Sequence, residues 1–121
     1  NLKKNINFLK PFSYSDYCHL EIFSKFVLSD SGTITEDSSI MNFPAINIRE
    51  THERPEGMEE ASVIMTGLDI NNILEAINII SSKEIKTRPV MSYDKENVSS
   101  KVVKIILSYI DFVNQKVWNK I

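Results

Sequence analysis

Three short apolar runs, Phe26-Val27-Leu28-Ser29, Ala45-Ile46-Asn47-Ile48 and Ala61 to Thr66, constrain this chain more than any other feature. Runs of this length suit strands buried on both faces, as in a parallel sheet. Helical spacing lies between and around them. Asp30-Ser31-Gly32-Thr33 turns the first run into a short helix from Ile34 to Met41, whose first turn is acidic and hydroxyl-rich and which Asn42-Phe43-Pro44 ends. The charged segment from Arg49 to Glu60 follows the second run as a loop leading into a helical turn. Gly67 breaks the third run, and Ile70, Ile73, Leu74, Ile77 and Ile80 then recur at helical intervals.

The flanks read less sharply. Ser15-Asp16 is placed to cap a helix carrying Tyr17, Leu20, Ile22 and Phe23, which leads directly into Phe26. Lys83 to Asn97 contains Pro89 and little periodicity, so a loop is expected there. From Ser99 or Ser100 a terminal helix is predicted to run to about Trp118. Its apolar positions cover more than one narrow stripe, which suits packing against a second body as well as its own sheet. Strands alternating with helices predict an α/β fold, a parallel sheet with flanking helices and right-handed crossovers, as one domain over residues 1–121.

Composition excludes several functions. With 14 Lys and Arg against 16 Asp and Glu, a net charge of -2 and no basic run, the chain lacks the stripe that tracks a nucleic-acid backbone. One cysteine, Cys18, and two histidines, His19 and His52, supply neither a disulfide nor a recognisable metal-ligand spacing, so no metal is expected. No segment approaches the roughly 20 apolar residues that span a bilayer, so no membrane partner is expected. Residues 1–11 do not read as a signal peptide. The expectation is a soluble, cytoplasmic protein. The lack of an initiator methionine suggests a fragment of a longer polypeptide.

Two clusters can carry chemistry. Asp30-Ser31-Gly32-Thr33, between a buried strand and a helix N-terminus, aims backbone N–H groups and a positive helix end at one place, which suits a phosphate; a purely structural turn has the same composition. Arg49-Glu50-Thr51-His52-Glu53-Arg54-Pro55-Glu56-Gly57 follows the C-terminal end of a parallel strand, the edge where open α/β sheets bind ligands. Its arginines can grip a phosphate or carboxylate with paired hydrogen bonds, or the segment can be a solvated loop of self-paired ions. Glu36 and Asp37 are either favourable charges in a first helical turn or acceptors of ligand hydroxyls. Tyr14 and Tyr17 can stack on a base or pack in the core. His19 reads as a surface histidine and Trp118 as packing.

Together, Leu28-Ser29-Asp30-Ser31-Gly32-Thr33-Ile34-Thr35-Glu36-Asp37 and Arg49-Glu50-Thr51-His52-Glu53-Arg54-Pro55-Glu56 resemble the bacterial non-hydrolysing UDP-N-acetylglucosamine 2-epimerases, in order and separation. The stretch from Glu50 to Ser62 looks most like the capsule and O-antigen branch, which acts at C2 of a UDP-2-acetamido-2,6-dideoxyhexose on the way to UDP-N-acetyl-L-fucosamine. The likeness runs from about Leu9 to Trp118 and covers the second half of a family member. It implies the C-terminal Rossmann-like half of a glycosyltransferase-B type fold, with the active site in the cleft between two domains. By position, Ser31, Gly32 and Thr33 match the diphosphate-binding turn, Asp37 the acid that holds the ribose hydroxyls, Arg54 the arginine of the ligand site, and Phe12 and Tyr17 the uracil contacts. Thr33 stands where many members have a second glycine, and Asp37 is one methylene shorter than the usual glutamate.

The family's chemistry needs no nicotinamide or metal, and so no cofactor. The C2 proton is removed with anti elimination of UDP, and UDP then re-adds to the 2-acetamidoglycal. The acid/base groups belong mostly to the other half, so the resemblance implies no catalytic residue in this chain. The partners it implies are a UDP-N-acetylhexosamine and an N-terminal domain, in cis or separately encoded. An exposed apolar face on the terminal helix would favour a homodimer. A nucleotide-sugar binding module, an inactive split-gene remnant and a glycosyltransferase domain of the same fold are the alternatives. The Arg49 to Glu56 motif speaks against the last.

Overall fold

A computed structural model describes residues 2–82 and 89–120. After a 3-10 turn at Leu2–Asn5 come α1 (Tyr14–Phe23), β1 (Val27–Ser29), α2 (Ile34–Met41), β2 (Ala45–Asn47), α3 (Pro55–Glu59), β3 (Ile64–Met65), α4 (Ile70–Ser82) and α5 (Val98–Phe112), which continues as a π-helical turn over Val113–Val117. The strands form one parallel sheet in the order β1-β2-β3, with Leu28 opposite Ile46 and Ile46 opposite Ile64.

β2 is central and buried throughout. Successive side chains of a strand point to opposite faces, and β2 uses both. Ala45 joins Ile34, Phe43 and Val63, with Val27, Met41 and Met58 packed around them. Ile46 joins Ala76 and Ile80 of α4, with Phe26, Ile48, Ile64 and Ile77 alongside. α2 and α3 therefore cover one face and α4 the other. Each fully buried Ile side chain contributes roughly 1.5–3 kcal/mol, and Ile34 and Ile46 are the largest such side chains.

Polar groups tie the layers together. The buried Ser38 hydroxyl donates to the Phe43 carbonyl at 2.7 Å and the Ser62 carbonyl at 3.0 Å. The Ser39 oxygen accepts the Val90 N–H at 2.8 Å, so the segment after α4 is anchored to α2. α2 ends at Asn42, whose left-handed φ of 56° an Asn tolerates better than most residues.

Several boundaries differ from the expectation. α1 is capped by Ser13 rather than Ser15-Asp16: the Ser13 oxygen accepts the Asp16 N–H and its hydroxyl donates to the Asp16 carboxylate. Asp16 is thus the third helical residue, and its N–H and its carboxylate both bond the Ser13 hydroxyl. The strand expected over Ala61 to Thr66 is confined to Ile64–Met65, because Ala61 takes φ 53° and Ser62 donates its N–H to the Gly57 carbonyl in a turn. Ile48 and Thr66 still donate to the ladder, to Ser29 and Asn47. Of the loop expected from Lys83 to Asn97, residues 83–88 lie outside the described residues; beyond them Val90 is buried and the Tyr93 hydroxyl donates to Glu56 at 2.8 Å. α5 begins at Val98, and none of its residues is buried, so its apolar surface is not covered by its own sheet. Among the described residues no helix is long and apolar enough to cross a membrane.

Candidate functional site

The loops that follow β1 and β2 leave the same edge of the sheet, because the two strands are parallel and adjacent. Asn47, the last residue of β2, joins them. Its Nδ2–H donates to the Ser31 carbonyl at 3.3 Å and its Oδ1 accepts the Arg49 N–H at 2.9 Å. With 4% of its surface exposed, this amide makes up for its burial with both bonds.

The β1 loop is organised by its own hydroxyls. The Ser31 N–H donates to the Ser29 oxygen at 3.1 Å and the Thr33 N–H to the Ser31 oxygen at 3.3 Å, while the Ser31 and Thr33 hydroxyls lie 2.9 Å apart. Gly32 is where the space matters. A methyl group on it would meet Arg54 Nη1 at 2.6 Å and Arg49 Nη1 at 3.0 Å, so two guanidiniums close over bare backbone. The Arg54 Nε–H donates to Glu36 of α2, and Arg54 Nη1 lies 3.7 Å from Glu53. Glu53 also accepts from Arg49 Nη2 at 3.2 Å. The Glu36 hydrogen bond raises the Arg54 pKa further, so this cation is permanent.

One turn along α2, Asp37 is half-buried. Burial, then the neighbouring Glu36 charge, raises its carboxyl pKa, against a contribution from the Thr33 hydroxyl. It faces α1, where its charge acts on Tyr17 and Glu21. Glu21 is 3% exposed and neither carboxyl oxygen has a hydrogen-bond partner. Burial therefore raises its pKa, with Tyr17 working the other way and Asp37 adding to the rise. Glu21, and then the phenol's own partial burial, in turn push Tyr17 up to about 12.

Phe12 and Tyr17 line a groove of roughly 680 Å³ with Leu9, Lys10, Pro11 and Tyr14. All three aromatics are exposed, so they are available for stacking rather than committed to the core. Ser31, Gly32, Thr33 and Arg54 thus come together at one edge, and the charge of Asp37, on the helix that starts there, reaches Tyr17 of α1. His19 packs on Phe23, ring centroids 4.5 Å apart, and His52 is exposed. Sequence reasoning missed two residues here. Asn47 was signalled by an amide inside the apolar run Ala45 to Ile48, and Glu21 by an acid four residues after Tyr17 on the same helical face.

A parallel sheet covered by helices, with two arginines over a glycine turn at its carboxyl edge, defines a Rossmann-like α/β domain of the glycosyltransferase-B type. The family profile described as UDP-N-acetylglucosamine 2-epimerase matches residues 1–107, and the chain belongs to that family of isomerases. The solved UDP-N-acetylglucosamine 2-epimerase from Rickettsia bellii is 44% identical, with a TM-score of 0.87 over 98% of this chain and 33% of its own. The Methanocaldococcus jannaschii enzyme, solved in complex with UDP-GlcNAc and UDP, is 25% identical with a TM-score of 0.73, covering 83% of this chain and 27% of its own. A UDP-N-acetylglucosamine 2-epimerase of Methanococcus maripaludis is 35% identical over 72 residues, 60% of this chain and 20% of that protein. The chain therefore spans between a fifth and a third of the length of these relatives.

Proposed function

We propose that this chain is the UDP-binding half of a UDP-N-acetylhexosamine 2-epimerase. The observation that carries the reading is the closure of the Arg54 and Arg49 guanidiniums over Gly32. Two cations above backbone without a side chain suit a close-lying anion, and the positive end of α2 adds to the same field. In this reading Ser31, Gly32, Thr33 and Arg54 hold the diphosphate, Asp37 takes the ribose hydroxyls, and Phe12 and Tyr17 flank the uracil. The relative solved with UDP supports the choice of nucleotide.

The chemistry assigns this half a definite task. When the C2 proton leaves, the bond from C1 to the UDP oxygen breaks and charge moves onto the diphosphate. Fixed cations and dipoles stabilise that charge without reorganising. The groups that take and return the proton come from the rest of the protein, in cis or as a separately encoded chain, so this chain alone does not turn over substrate. α5 supplies part of the surface on which that other domain docks. The stretch from Glu50 to Ser62 supports a UDP-2-acetamido-2,6-dideoxyhexose as the substrate, in cytoplasmic nucleotide-sugar synthesis for capsule or O-antigen.

Isothermal calorimetry with UDP tests the reading, with Arg54→Ala as the comparison. Loss of a charge-assisted contact to phosphate should weaken binding about tenfold or more. A folded wild-type chain that does not bind UDP would sink the proposal.

A further inference from the structure

Glu53 spans two guanidiniums. One carboxylate oxygen lies 3.2 Å from Arg49 Nη2 and the other 3.7 Å from Arg54 Nη1. The two arginines are not held alike. Arg54 is fixed from the α2 side by Glu36, whereas for Arg49 the recorded side-chain ion pair is the one with Glu53, which is 67% exposed. The main chain of Arg49 is nonetheless fixed to the phosphate turn, since the buried Asn47 amide accepts its N–H and donates to the Ser31 carbonyl. Its Nη1 lies on the same point of Gly32 that Arg54 Nη1 approaches.

We infer that Arg49 is a second phosphate-holding residue and that it makes the site selective for two phosphates over one. The inference rests on the UDP reading above. One guanidinium serves one phosphate well, through two parallel N–H donors in a rigid fork. A second guanidinium over the same glycine adds less for a nucleoside monophosphate, whose one phosphate the first fork already serves, than for a diphosphate, whose next phosphate gives it a partner of its own. Glu53 keeps the two forks together in the free site. An exposed ion pair contributes little to stability, so an incoming diphosphate displaces this carboxylate at small cost. Asn47 is the positioning residue, because it sets the Arg49 backbone relative to the Ser31 carbonyl.

The test is calorimetry of the 121-residue chain with UDP and with UMP, on wild type, Arg49→Ala and Arg49→Lys, each checked by circular dichroism. Wild type should prefer UDP. Arg49→Ala should lose about tenfold in UDP affinity and little in UMP affinity, so that the preference collapses. Arg49→Lys, which keeps the charge without the fork, should recover part of it, and it carries the test alone if the alanine variant does not fold. An unchanged ratio of UDP to UMP affinity in either variant overturns the inference while leaving UDP binding in place. A wild-type chain that binds neither nucleotide overturns the proposed function, and this inference with it.

Discussion

Replacing Ser38 by Ala removes a single hydroxyl from a place that water does not reach, since the residue is 0% exposed. That hydroxyl has one proton and two acceptors, the Phe43 carbonyl at 2.7 Å and the Ser62 carbonyl at 3.0 Å. The first belongs to the backbone entering β2 and the second to the backbone approaching β3, so the bond fastens α2 to both. A buried acceptor left without a donor costs about 1–3 kcal/mol. Against this, Ala is a better helix former than Ser by roughly 0.5 kcal/mol. The expected net loss is about 1.5 kcal/mol, which for a chain of this size lowers the melting temperature by roughly 6 °C. Urea unfolding followed by circular dichroism should show a lower midpoint at an unchanged slope. Ser108→Ala is the matched comparison, because the Ser108 hydroxyl bonds the Lys104 carbonyl on the exposed surface of α5 and its loss should change little. A Ser38→Ala change below about 0.5 kcal/mol, the ordinary surface range, would refute the argument that both carbonyls depend on this proton.

Other substitutions test other links. Burial raises the Glu21 pKa in the folded state, so the stability tied to its protonated form is complete below the unfolded value and is lost as pH rises through the folded value. Glu21→Gln, facing Tyr17 and Asp37, should therefore stabilise the chain at pH 7 and lose that advantage toward pH 4; a difference between variant and wild type that does not change with pH would contradict this. Gly57→Ala drives a methyl group into the Thr35 side chain where α3 meets α2, and overpacking of this kind costs about 1–3 kcal/mol. Thr35→Ser should restore much of the loss in a double-mutant cycle, and independent, additive effects would locate the strain elsewhere.

The parts of the fold that depend on local pattern were legible in the sequence. The apolar runs at Phe26 and Ala45 became the adjacent strands β1 and β2, and the spacing from Ile70 to Ile80 became α4. The glycine turn at Ser31 to Thr33 and the arginine segment meet because parallel neighbouring strands deliver their following loops to one edge. What the sequence did not reveal depends on geometry between distant residues. Ser13 and Ser15 are both acceptable caps by type, and the side-chain contact with Asp16 chooses Ser13. Ala61 offers no sign that it will take a left-handed φ, and that conformation is what shortens β3. Nor does an Asn within an apolar run announce which two loops it will join.

The unburied terminal helix has a consequence for how this protein is watched. α5 has 15 residues, near the length at which an isolated helix is only marginal in water, and none of them is buried in a core that would make its melting wait for the sheet. Its amides should exchange with solvent long before those of β2, which open only with the whole core. The chain's one tryptophan, Trp118, sits at the far end of this element and is 64% exposed. Intrinsic fluorescence will therefore follow the fraying of the tail and stay nearly blind to the sheet, so a shallow fluorescence transition would say nothing about whether the arginine-covered turn at Gly32 is still folded.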